Sequence, residues 1–62
     1  MDRKYMTQYK AISIAEGFEM ATSDEQRIEA WQYIYDNRLY RHLQGFFGRT
    51  VQRMLEEGLI HG

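Results

Sequence analysis

His42 and His61 are the two imidazoles of this sequence, and imidazole is the side chain whose ordinary titration range suits proton transfer near neutral pH. Acid–base catalysis also needs a companion group, such as a nucleophilic hydroxyl or thiol, or a second carboxylate held against the first. No serine or carboxylate pair stands at a spacing that supplies one, and cysteine is absent. Without thiolates, two imidazoles are too few for an ordinary structural zinc site. The run Gln44-Gly45-Phe46-Phe47-Gly48-Arg49 has spaced glycines but lacks the strand before it and the Lys-Ser/Thr after it that a phosphate loop requires. These patterns predict a protein that is not an enzyme and uses no metal, no cofactor and no small-molecule substrate.

The remaining chemistry is recognition. Read as one helix, the segment after residue 38 places Arg38, His42, Arg49 and Arg53 in a narrow stripe with Gly45 among them. Such a row matches the spacing of phosphates along nucleic acid. The overall balance opposes that reading, since the formal net charge is −1. Charge is also divided along the chain. Between Glu16 and Asp36 there are six acids and one base, Arg27, whereas Asn37 to Leu55 holds four arginines and no acid. The two segments are expected to attract each other within one fold or across a dimer. Aromatic residues offer the other recognition surface. Tyr33 falls on the polar side of its helical wheel, where there is no core to fill, and tyrosine is enriched in binding hot spots. With Tyr40, Gly45, Phe46 and Gly48 it forms the expected partner-binding set.

These residues must be positioned by helices. Sixty-two residues make a single domain spanning 1–62, and there is no proline and no repeat. Residues 1–6 are expected to be flexible. Nothing after Met1-Asp2-Arg3-Lys4 reads as a signal peptide, and no apolar run reaches the ~20 residues of a membrane span. A soluble, cytoplasmic protein with no membrane partner is expected.

Thr22-Ser23-Asp24-Glu25-Gln26 is a helix start, with Thr22–Glu25 or Ser23–Gln26 as capping box. The helix it opens runs over about 23–36, with Ile28, Trp31, Ile34 and Tyr35 on its apolar side. Asp36-Asn37-Arg38 reads as a tight break with Asn37 in the left-handed conformation. A third helix is expected from about Leu39 to Glu57, ending at Gly58, with Leu59 and Ile60 folding back. Its apolar arc covers about half the wheel, which is wider than a single neighbour requires. Glycines at 45 and 48 each cost roughly 1 kcal/mol inside a helix. They mark either a close helix approach or a kink between two shorter helices. Glu56 and Glu57 are expected to pair with Arg53. A short first helix beginning between Thr7 and Ala11 carries Ala11, Ile14, Ala15 and Phe18 inward; a strand over residues 4–11 is the other option. The fold is thus predicted as all-α: a short first helix, then an antiparallel helical hairpin, with Trp31, Tyr35, Leu43, Phe47 and Met54 in the core. The wide apolar arc predicts a homodimer.

Several of these residues form a connected motif: Glu29-Ala30-Trp31-Gln32-Tyr33-Ile34-Tyr35-Asp36, then Leu39, then Leu43-Gln44-Gly45-Phe46-Phe47-Gly48-Arg49-Thr50, and Leu55-Glu56-Glu57-Gly58. It resembles a family of small uncharacterised bacteriophage proteins that commonly read WQ-x-L-I-D-T-G-L-x-W-Q-L-Q-G-[WY]-[FY]-G-R. The resemblance covers about residues 14–58. Asn37-Arg38 stands where the family has Thr-Gly, and Arg41-His42 where it has Trp-Gln. The resemblance implies phage origin and the host-cell cytoplasm, and implies no activity. With the lack of catalytic groups and the aromatic surplus, it leads to the expectation of an accessory protein that binds a host protein to inhibit or modulate it. A small DNA-binding transcriptional regulator using the basic stripe is the alternative.

Overall fold

The computed structural model describes residues 6–62. Four helical segments follow in order: α1 Gln8–Glu16, α2 Asp24–Asp36, a 3₁₀ helix Leu39–His42, and α3 Gly45–Glu56. The described residues contain no strand. The chain is an all-α, three-helix domain, and residues 8–11 are helix, not strand. Met6 packs half-buried against the core. The flexibility expected of residues 1–5 lies outside the described residues.

Each helix boundary has a local cause. Thr7 caps α1, its hydroxyl accepting from the amide of Lys10 at 3.1 Å. Ser23 caps α2 by accepting from the Gln26 amide at 3.1 Å. The Gln26 side chain reaches back to the amide of Thr22 at 2.8 Å, so the capping box spans Thr22 to Gln26 and uses both hydroxyl residues. Asp24 and Glu25 occupy the first turn, where the helix dipole favours negative charge. At the far end of α3, Gly58 is left-handed with φ 77°. The amides of Gly58 and Leu59 donate to the carbonyls of Leu55 and Met54, which is the paired bonding of a Schellman cap. That cap turns the chain so that Ile60 is buried, while Leu59 stays partly exposed.

Nine apolar residues form the core: Ala11 and Ile14 from α1, Ala30, Trp31 and Ile34 from α2, Phe47, Val51 and Met54 from α3, and Ile60. Fully burying side chains the size of Ile34 or Phe47 contributes roughly 1.5–3 kcal/mol each. The closest backbone packing is between α1 and α2, where Ala11 and Ala30 are both fully buried. α3 reaches α2 through large side chains, chiefly Trp31 and Phe47, whose rings are 5.5 Å apart and tilted by 46°. Of the five residues expected in the core, Trp31, Phe47 and Met54 are buried, and Tyr35 and Leu43 are half-buried at its edge.

Three expectations are corrected. The helix expected over Leu39–Glu57 is broken. Leu43 and Gln44 are extended, with ψ angles of 179° and 157°, so the 3₁₀ helix and α3 are separate segments. Gly45 is therefore the first residue of α3, where a glycine costs little. Gly48 lies inside α3 with open space over its Cα, so no neighbouring backbone makes it necessary. Of the two readings of these glycines, the structure shows the break. The left-handed residue after α2 is Arg38, with φ 57°, and Asn37 has φ −97°. Asn37 instead ends the helix with its side-chain amide, which donates to the Tyr33 carbonyl at 3.0 Å. Finally, Glu56 accepts from Gln52 at 3.2 Å, and among the described residues no ion pair joins Arg53 to Glu56 or Glu57.

Candidate protein-docking surface

α1 buries Ala11 and Ile14 against α2, which leaves its opposite face outward. Gly17 then ends the helix. Its φ of 89° is open to glycine and strained for any other residue. The amides of Gly17 and Phe18 donate to Ile14 and Ser13, forming the first of two Schellman caps. In that motif the residue after the glycine often packs back onto the helix. Here it does not: Phe18 is 83% exposed, and Met20, two residues on, is 89% exposed. An ion pair from Lys10 to Glu19 ties the turn to α1. Tyr9, the second residue of α1, is 82% exposed.

Gln8, Tyr9, Ile12, Ser13, Glu16 and Phe18 line an open groove of about 550 Å³ on this face. Solitary exposed apolar side chains are ordinary. Three of them on one short segment beside a mainly apolar groove are the composition of an interface anchor. The sequence reading missed this site because it placed Phe18 on the inward side of α1 by continuing the helical wheel through Gly17. The signal was available: a glycine one residue after a helix end takes the left-handed conformation, and the wheel stops there.

The residues singled out from the sequence are dispersed. Tyr33 is half-buried against the core, which corrects its placement on a free polar face. α2 has α1 on one side and the 3₁₀ helix on another, while Asp24, Glu25, Arg27, Glu29 and Asp36 remain exposed. Tyr40 is half-buried, its ring stacked on Tyr35 at 6.1 Å. Phe46 is half-buried on Phe47, with ring centroids 4.2 Å apart. Gly45 is exposed and Gly48 half-buried, both in α3.

The basic stripe is divided by the break at Leu43-Gln44. Arg38 sits in the turn after α2, its guanidinium 5.1 Å from the centre of the Tyr35 ring and donating to the Tyr35 carbonyl at 3.2 Å. His42 ends the 3₁₀ helix. Arg49 and Arg53 remain together on α3, where with Phe46 and Thr50 they line a second open hollow of about 330 Å³. A guanidinium nitrogen of Arg49 lies over Gly45, 3.2 Å from where a β-carbon would stand. His61, at the other end of the chain, does not approach His42's segment by any hydrogen bond. Its backbone is held by Gln32: the His61 amide donates to Oε1 at 2.8 Å, and Nε2 donates to the His61 carbonyl at 3.0 Å. This clamp and the burial of Ile60 beside it position the His61 backbone.

Among the described residues no three His, Cys, Asp or Glu side chains converge as a metal-binding group. No helix there is long and apolar enough to cross a membrane. Compared with known proteins, the chain matches no protein-family model, no curated protein and no solved structure.

Proposed function

We propose that this chain is a small phage accessory protein that acts in the host cytoplasm by binding a host protein, inhibiting or modulating it through the outer face of α1 and the turn that follows. The observation carrying this reading is the exposure of Tyr9, Phe18 and Met20 on and beside an open apolar groove. Large aromatic side chains such as Tyr9 and Phe18 supply much of the buried area at protein interfaces, and methionine adapts to fill the gaps beside them. The test is affinity capture from host lysate with the wild-type chain, and with a triple Tyr9→Ala/Phe18→Ala/Met20→Ala variant. A stoichiometric host protein should be retained by the wild type and by Arg49→Ala/Arg53→Ala, and lost with the triple variant. Retention of that protein by the triple variant refutes the assignment of this surface; recovery of no stoichiometric protein by the wild type refutes the reading.

The alternative, a small DNA-binding regulator, is favoured by one observation: Arg49 and Arg53 share the hollow beside Phe46 and Thr50. Two phosphate contacts give a salt dependence of about −1.8 in log–log slope. Binding of a duplex at low salt that is lost in Arg49→Ala/Arg53→Ala would support this reading, and no retardation of any duplex would end it.

A further inference from the structure

The groove on α1 has a symmetry of its own. Along the helix its wall reads Gln8 and Tyr9, then Ile12 and Ser13, then Glu16. A phenolic donor stands at one end, a carboxylate acceptor at the other, and an apolar and a small residue lie between them. Tyr9 and Glu16 are seven residues apart, about 10 Å along the axis, so they stand two turns apart on one face. Lys10 is engaged by Glu19, which leaves Glu16 as the acid of the groove wall. We propose that this groove is filled by the same groove of a second copy, the two α1 helices packing antiparallel about a twofold axis between Ile12 and Ser13, with each Tyr9 hydroxyl donating to the partner's Glu16.

This register follows from the spacing. Centring the pair between residues 12 and 13 sets Tyr9 opposite the partner's Glu16, and Ile12 opposite the partner's Ser13. An isologous interface must be self-complementary, with residue i meeting j and j meeting i. The groove meets that requirement in hydrogen-bonding character and in size, since Ser13 makes room for the partner's Ile12. The two carboxylates end at opposite ends of the pair, where they do not repel. A parallel arrangement would instead set Glu16 beside the partner's Glu16.

Area sets the class of interface. Exposed aromatic side chains present about 150–250 Å² each. Tyr9 and Phe18 with the rest of the groove wall give on the order of 1,000 Å² for the pair, near the lower limit of specific interfaces. An interface of this size belongs with weak, transient associations, so the dimer is expected to be concentration-dependent. The inference does not rest on host binding; a host protein entering the same groove would compete with the second copy.

Sedimentation equilibrium of the full chain from about 5 μM to 1 mM tests it, with charge variants at exposed positions that leave the core untouched. Wild type should pass from monomer to dimer over this range. Tyr9→Glu should weaken association at least tenfold, because it faces the partner's Glu16. Tyr9→Lys should retain it, now with marked salt sensitivity. Tyr9→Glu/Glu16→Lys should restore association to within about threefold of wild type. A monomer at every concentration overturns the proposal and leaves the face to a different protein. A dimer indifferent to Tyr9→Glu, or one not restored by the double exchange, overturns it too.

Discussion

Replacing Gly48 by alanine should stabilise the protein, and the sign of that change is a direct test of how α3 is packed. Gly48 is a mid-helix residue with ordinary backbone angles, and a β-carbon built on it meets nothing within 4 Å. The glycine therefore carries its usual helix cost without a steric reason for being there. Alanine lowers the backbone entropy of the unfolded chain, a gain of roughly 0.5–1 kcal/mol. For a domain of this size 1 kcal/mol moves the melting midpoint by about 4–8 °C, so a rise of about 2–8 °C is expected by circular dichroism. Gly17→Ala supplies the opposite sign. There φ is 89°, which penalises a β-carbon whatever the free space, and a loss of about 1–2 kcal/mol is expected. Destabilisation by Gly48→Ala would refute the reasoning. It would mean that a helix or a second molecule approaches α3 at this position, as the close-packing reading of the two glycines required.

Three further perturbations address the local devices. Arg38 holds a left-handed conformation, and Arg38→Ala and Arg38→Gly lose the same contacts to Tyr35, so the glycine variant should exceed the alanine variant by about 1 kcal/mol in urea unfolding. Equal midpoints would exclude a left-handed residue there. Gln32→Ala removes both hydrogen bonds to the His61 backbone; His61 amide exchange should lose its protection, with about 1 kcal/mol of stability lost in denaturant titration. Ser23→Ala removes the α2 cap and should cost about 1 kcal/mol in thermal unfolding.

Trp31 and Gln32 are adjacent structural supports: the indole is buried against Phe47, while the neighbouring amide clamps the backbone of His61. Among the described residues Arg38 is the non-glycine residue with positive φ. A glycine preference at such a position is what sterics dictate.

The capped start of α2 and the glycine stop of α3 were legible in the sequence. Ser23 with Gln26, Gly58 with Leu55 and Leu59 with Met54 make bonds between residues no more than five apart. Local chemistry decides such features, whatever lies on the other side of the helix. The burial of Trp31, Phe47 and Met54 was legible for a related reason: a periodic apolar stripe has to face a core. What tertiary structure alone decided was which remaining apolar groups found cover. Tyr33 is half-hidden because a helix or turn flanks α2 on more than one side, and a wheel drawn for one helix does not contain its neighbours. The basic stripe dissolved because Leu43 and Gln44 are extended, which resets the angular relation between Arg38 and Arg53. Tyr9 and Phe18 became the exposed pair because α1 spends its only buried face on Ala11 and Ile14, and no other element of the described chain reaches the side that they occupy.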